Sequence, residues 1–299
     1  MTLLTTEQKY AQQEVVAFWK QLSRSGLQKC EQAMVSRYFP TTGHLLDLGC
    51  GTGRAVLALN QAGYQVTGLD LSQNMLAAGR SLSAEAHFSG ANVLHLPFAD
   101  HSFEASFMFF GALQHLPGRA QRRRAIAEMA RVTKPQGRLI LGLDNVAPAL
   151  SCYLYWLARK LKTSPRSSPA PQVNNNGADS TLWSRQTRQT HPLVWHVRGL
   201  GRTLRWRTWP ALVDVGRGLS PWVNDLEPGD TQVAQFAMPP TPGHIYYHLY
   251  RSRELIADAT VAGWQLLGQH SGSELNEGQV YPEAIRQRDK QLFFAFARL

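Results

Sequence analysis

Residues 45–53 read LLDLGCGTG, and the fold turns on them. An apolar run broken only by Asp47 meets glycines at 49, 51 and 53, and a helical stretch follows from Ala55. Glycine lets a backbone turn tightly and approach a ligand with no Cβ in the way. Amides that open the following helix can face a polar ligand. The next apolar run ends in VTGLDLS, 17 residues beyond Gly53, where Asp70 can accept hydrogen bonds from two ribose hydroxyls. These features fit a dinucleotide or another nucleoside cofactor, and spacing discriminates between them. A GxGxxG pattern begun at Gly49 needs glycine at 54, where the chain has Arg54. The pattern present is DxGxGxG, with Asp47 two residues ahead of the first glycine.

Outward from this turn, strand-like and helix-like runs alternate. Strands are expected at His44–Leu48, Gln65–Leu69, Phe103–Phe109 and Arg138–Leu143, with helices at Ala55–Gln61, Gln73–Leu82 and Gln121–Val132. That alternation predicts a parallel sheet with crossover helices. Residues 1–43 read as N-terminal helices, Glu7–Ser23 and then Leu27–Phe39, stopped by Pro40. After Arg251, RSRELIADATVAG predicts a helix ending at Gly263, followed by strands at Trp264–His270 and Gln291–Arg298.

Further stretches fit one family. LPFADHSFEASFMFFGALQHL (96–116) and EMARVTKPQGRLIL (128–141) follow the glycine turn in order. With DxGxGxG they resemble the class I S-adenosylmethionine-dependent methyltransferases, in particular the type 11 group. The resemblance covers about 44–144 and 251–299. It implies a doubly wound, mostly parallel seven-stranded α/β sheet of Rossmann-like form, with S-adenosyl-L-methionine as cofactor and no metal. It also implies roles for individual residues. Gly49, Gly51 and Gly53 would line the methionine part of the cofactor, and Asp47 would stabilise the loop and the cofactor amine. Asp70 would bind the ribose, and Leu71 and Met75 would flank the adenine. Asn92 stands where the family usually has Asp; its carbonyl can still accept from the adenine amino group. Val93 would offer a backbone amide to the ring. His115, in ALQHLP, falls where the family places a residue near the methyl group, as a general base or as a packing residue. Tyr246, Tyr247 and His248, in GHIYYHLY, are further candidates for enclosing or deprotonating the acceptor.

The resemblance leaves 145–250 as an insertion between the fifth strand and the last helix, beside the cofactor in a doubly wound sheet. Its 163–180 stretch, TSPRSSPAPQVNNNGADS, reads as a linker or mobile loop. Of the net charge of +10, +9 falls between Ser151 and Arg217, with 11 Lys and Arg against two Asp. In 191–209, Leu193, Val197, Leu200 and Leu204 share one helical face, while Arg198, Arg202 and Arg205 lie opposite with Trp195, Trp206 and Trp209. Such a face suits an anionic acceptor, RNA or a membrane headgroup layer, and equally a solvated lid. IYYHLYRSREL (245–255) weakly resembles the tRNA wobble-uridine carboxymethyl methyltransferases, with Ile245 where they usually have Arg.

Other classes are disfavoured. The three cysteines, Cys30, Cys50 and Cys152, are widely spaced with no CxxC, which points away from a disulfide framework and a zinc site. No long apolar run is free of polar interruption; 139–158 is broken by Asp144, Asn145 and Pro148. The N-terminus lacks the features of a signal peptide. The expectation is a cytoplasmic methyltransferase acting on an O, N or C atom, with a small metabolite favoured as acceptor. RNA, a lipid or quinone headgroup at a membrane surface, and a non-catalytic cofactor-binding module are the alternatives.

Overall fold

The computed structural model describes residues 3–145, 230–233, 244–287 and 289–299. Met1–Asn145 and Gly229–Leu299 form one compact unit, and the second unit, 146–228, lies outside the described residues.

The described elements are β1 (Leu3–Leu4), α1 (Thr6–Tyr10), α2 (Gln13–Leu22), α3 (Lys29–Tyr38), β2 (His44–Leu48), α4 (Arg54–Gln61), β3 (Gln65–Asp70), α5 (Gln73–Arg80), β4 (His87–Gly90), β5 (Phe103–Met108), α6 (Arg119–Val132) and β6 (Thr133–Asp144). They continue with β7 (Asp230–Val233), β8 (His244–His248), α7 (Ser252–Val261), β9 (Trp264–Ser271), α8 (Gly272–Glu277), α9 (Glu283–Arg286) and β10 (Gln291–Arg298). Seven strands form one sheet in the order β4-β3-β2-β5-β6-β10-β9. The first five run parallel, and β10 is antiparallel to both β6 and β9. This is the α/β sheet expected from the alternation.

Period-two alternation assigns the strand side chains to two cores. Leu46 and Leu48 of β2 join Ile126, Leu139, Trp264 and Phe294 on one face. Leu45 joins Val56, Leu59, Phe107, Ile140 and Phe293 on the other. Both faces of β10 are buried, which explains its unbroken apolar reading, QLFFAFAR.

Three features differ from the sequence reading. The run 7–23 is two helices, divided at Ala11–Gln12, because Thr5 forms a capping box with Gln8 and starts a separate short α1. Strand β4 has no apolar alternation, being a four-residue edge strand with only half-buried or exposed side chains. A second sheet, β1-β8-β7, ties the N-terminal Leu3–Leu4 in parallel to His244–Ile245. Local sequence carries no trace of that pairing, since its partners stand some 240 residues apart.

The N-terminal helices are anchored to the glycine turn by a buried ion pair. Both terminal guanidinium nitrogens of Arg54 donate to Glu31, Nη1 at 2.7 Å and Nη2 at 2.5 Å, and Nη1 also donates to the Gly26 carbonyl. The Arg54 guanidinium lies 4.4 Å from the ring centre of Phe110. Removing one member of a buried pair strands the other charge. Glu31→Ala is therefore expected to destabilise the fold by about 3–5 kcal/mol in urea titration, and Glu31→Leu combined with Arg54→Met should recover most of that loss.

Candidate functional site

The strand order reverses between β2 and β5, so the connections leaving those strands diverge and open a crevice at the carboxyl end of the sheet. A cavity of about 570 Å³ lies there, a size ordinary for a small-molecule site. Of the residues expected to hold cofactor, Asp47, Gly49, Gly51, Asp70, Leu71, Met75, Asn92 and Val93 all line it.

The glycine turn is built by hydrogen bonds from its own backbone. Gly49 and Cys50 N–H both donate to the Leu69 carbonyl, at 2.7 and 3.0 Å. Gly51 has φ +57°, and a Cβ placed there would meet nothing within 4 Å, so this part of the turn faces open space. Gly53 differs from expectation. It is absent from the cavity wall, and a Cβ on it would strike the Phe88 ring at 2.5 Å. Its φ of +82° and this close packing give it a structural role at the start of α4.

Asp70 serves the turn as well as the cavity. Its Oδ2 accepts Gly51 N–H at 2.8 Å, and its Oδ1 accepts Ser72 N–H at 2.8 Å. Each oxygen keeps lone-pair capacity for a further donor. Burial raises its pKa, and the Ser72 and Gly51 amides work against that. Asp47 is different. It is 4% exposed, and among the described residues no hydrogen bond or ion pair reaches its carboxylate. Burial pushes its pKa up to about 8, with Arg54 pulling the other way. Asn92 uses its Oδ1 to accept Leu94 N–H at 2.9 Å, and its amide nitrogen adds donor capacity at the cavity edge.

These residues fit S-adenosylmethionine. An unpartnered buried carboxylate suits an ammonium group, a strand-end carboxylate suits a diol, and the open turn at Gly51 leaves room for the chain between them. Among the described residues no cluster suited to a metal ion occurs.

The candidates for acceptor chemistry separate. His115 lines the cavity. Its Nδ1 lies 3.3 Å from the Tyr246 carbonyl, and its Nε2 lies 3.2 Å from the Tyr10 hydroxyl. Burial lowers its pKa to about 4. Tyr246 lines the cavity too, with its hydroxyl accepting from Arg122 at 2.9 Å. Tyr247 and His248 do not line it. The Tyr247 hydroxyl donates to Gln114 Oε1 at 2.9 Å, with Asp144 Oδ2 at 3.2 Å, and His248 Nε2 lies 2.9 Å from Glu254. Both are buried within the framework, away from the cavity wall where the sequence reading placed them as candidates for acceptor chemistry. Alternation along β8 turns Tyr246 one way and its neighbours the other.

Gln114 binds this framework together. Its Nε2 donates to the carbonyls of Asp144 and His248, both at 3.0 Å, and its Oε1 accepts from Asp144 N–H at 2.8 Å as well as from Tyr247.

Sequence reasoning passed over Tyr10, Trp19 and Phe110, all of which line the cavity. Tyr10 and Trp19 fell at apolar helix positions and looked like core. Phe110 follows β5 and packs edge-on to Trp19 at 5.5 Å. Arg198, Arg202 and Arg205, with the loop 163–180, lie outside the described residues.

Comparison with known proteins gives concordant matches. A family model described as a methyltransferase domain matches residues 46–141. The chain is 40% identical over 97 residues to a demethylmenaquinone methyltransferase of Paenarthrobacter aurescens, covering 32% of this chain and 37% of that one. It is 32% identical over 191 residues to methyltransferase GfsG of Streptomyces halstedii, covering 58% of this chain and 67% of that one. The chain spans about half or less of the length of the first curated relatives it matches. In fold it is similar to the CcbJ methyltransferase of Streptomyces caelestis, with a TM-score of 0.53 at 15% identity over 90% of this chain and 89% of that one.

The state of Asp47 is open to measurement. Its folded pKa lies above the unfolded value, so the free fold holds a proton that the unfolded chain releases between about pH 4 and 8. Stability contributed by that proton is present at low pH and is lost as pH rises through the window. An ammonium ligand reverses the preference. At pH 7, calorimetry of S-adenosylhomocysteine binding in buffers of differing ionisation enthalpy should show about one proton released per ligand, and Asp47→Asn should show none.

Proposed function

Because this chain belongs to the S-adenosylmethionine-dependent methyltransferases, we propose that it transfers the methyl group of that cofactor to an O, N or C atom of a small, largely apolar acceptor. One observation carries the reading. The cavity bounded by Asp47, Gly51 and Asp70 continues into a wall of Trp19, Phe110, Leu116 and Tyr246, so cofactor and acceptor share one enclosure.

The cofactor supplies a methyl group already activated by a positive sulfur. The chain's residues then have mainly to align and exclude water. Asp47 and Asp70 fix the two ends of the cofactor, and the Asp70 hydrogen bonds keep the turn from moving against β3. The aromatic wall offers contact area to an apolar acceptor and displaces water from it. His115 is neutral through the physiological range and is held by two hydrogen bonds, so its part is to orient a neighbour rather than to store a charge. No residue in this reading needs a metal.

Relatives bear the names demethylmenaquinone methyltransferase and, in Aspergillus sclerotiorum, O-methyltransferase; the second agrees with transfer to oxygen, and the first with an apolar quinone ring as acceptor. The second reading is an acceptor in RNA or at a lipid surface, contacted through Arg198, Arg202 and Arg205, and it rests on the concentration of +9 charges in 151–217. Incubation with methyl-labelled cofactor and cell extract, followed by fractionation, separates the readings. Label is expected in the small-molecule pool. Label in RNA or lipid that falls steeply with added salt would favour the basic segment instead. Cofactor binding without labelling of any pool would indicate a binding module.

A further inference from the structure

Tyr10 comes from the N-terminal helix α1, and His115 from the turn after β5, 105 residues away. Both line the cavity, at 3.2 Å from each other. The protonation pattern of the pair follows from what surrounds it. A backbone carbonyl can only accept, so the 3.3 Å contact to Tyr246 O requires the proton on His115 Nδ1. Burial keeps the ring neutral, so Nε2 carries a lone pair. Among the described residues the one partner of Nε2 is the Tyr10 hydroxyl, which must donate to it. The pair is further fixed by edge-on ring contacts, Tyr10 to His115 at 5.7 Å and His115 to Tyr247 at 4.9 Å.

Tyr10 has one proton, and His115 holds it. Its oxygen can then only accept from whatever enters the cavity. A ligand hydroxyl or N–H meets that oxygen favourably. A carboxylate, phosphate or phenolate meets it lone pair to lone pair, in an enclosure where an unpaired charge is costly. Among the described residues no unpaired cation stands here to welcome an anion, and the carboxylates of Glu7 and Asp70 in the same wall disfavour it further. Trp19, Phe110, Leu116 and Tyr246 supply rings and aliphatic surface, and the charge of Arg54 is already met by Glu31.

We propose that Tyr10, oriented by His115, is the specificity-determining residue for the acceptor, and that it selects an uncharged hydroxyl-bearing ring and rejects the anionic form. This rests on the methyltransferase reading and specifies its substrate class. His115 is a positioning residue: it reaches the acceptor only through Tyr10.

The test uses the full chain saturated with S-adenosylhomocysteine and three probes of one shape: naphthalene, 1-naphthol and 1-naphthoate. Binding of S-adenosylhomocysteine is measured first by calorimetry, and its absence would sink the methyltransferase reading itself. Given cofactor binding, 1-naphthol should bind about tenfold more tightly than naphthalene, the effect of one hydrogen bond, and 1-naphthoate should bind most weakly. Tyr10→Phe keeps the ring and should abolish the preference for 1-naphthol, with S-adenosylhomocysteine affinity changed less than about threefold. His115→Leu frees the Tyr10 proton, so 1-naphthoate, which can only accept, should bind better than it does to the parent chain, while 1-naphthol, whose hydroxyl can also accept, keeps its preference over naphthalene. His115→Gln places an acceptor oxygen near the position of Nε2 and should restore the parent order. Failure of 1-naphthol to bind, an unchanged preference in Tyr10→Phe, or identical behaviour of His115→Leu and His115→Gln would each overturn the proposal.

Discussion

Strands β2 and β5 are neighbours in the sheet, yet the chain leaves them in opposite directions. Every feature of the site descends from that reversal. A parallel sheet needs a crossover after each strand, and crossovers on opposite faces part company only where the order turns. The gap so made is bounded on one side by the turn after β2 and on the other by the segment after β5. The two halves of the cavity wall sit on these two segments: the glycines and acids on one, and Phe110 and His115 on the other. Asp70 makes the first half rigid. It ends the strand beside β2 and takes an amide from the glycine turn and another from the start of α5, so a ligand reaching it finds the turn already placed.

The electrostatics of the cavity follow from what the fold leaves unpaired. Nearly every other charge near it is answered. Arg54 meets Glu31, Arg122 lies beside Glu254 and Tyr246, and Arg119 and Arg123 converge on Asp258. Asp47 stands buried in the wall without a partner among the described residues, and Asp70 is met only by neutral amides. Two buried acids with spare acceptor capacity make a site for a ligand that brings donors and positive charge. The acceptor end, by contrast, presents rings and a neutral pair. One cavity thus offers two distinct chemistries over a short distance.

Much of this was legible in the sequence because it is local. DxGxGxG and Asp70 announce a turn and a strand end, and eight of the nine residues so identified for the cofactor line the cavity. Gly53 stands apart from the other eight because a glycine required by close packing, here against the Phe88 ring, looks the same in sequence as one that lines a cavity. Tyr247 stands apart from the cavity because adjacent residues of a strand face opposite ways, and the pattern IYYHLY did not say which residue faced the cavity; His248, on the same parity as Tyr246, is taken up by Glu254 instead. Tyr10 and Trp19 were invisible as site residues. Their helices bear ordinary apolar stripes, and their meeting with His115 and Phe110 depends on chain reversals that local periodicity does not encode.

Gln114 holds Asp144 and His248 with a single carboxamide, and those residues stand where the chain departs from the central sheet and where β8 ends. The two ends of the long connection between them are thereby joined within the core. Closing a flexible connection costs an entropy that grows only with the logarithm of its length, about 0.6 kcal/mol for each doubling. A carboxamide that has already joined the two ends makes the connection's sequence and length nearly independent variables. The fold is in that sense a socket: segments of different size and charge can be exchanged between the same two points, while Asp47, Asp70 and the Tyr10–His115 pair keep their places.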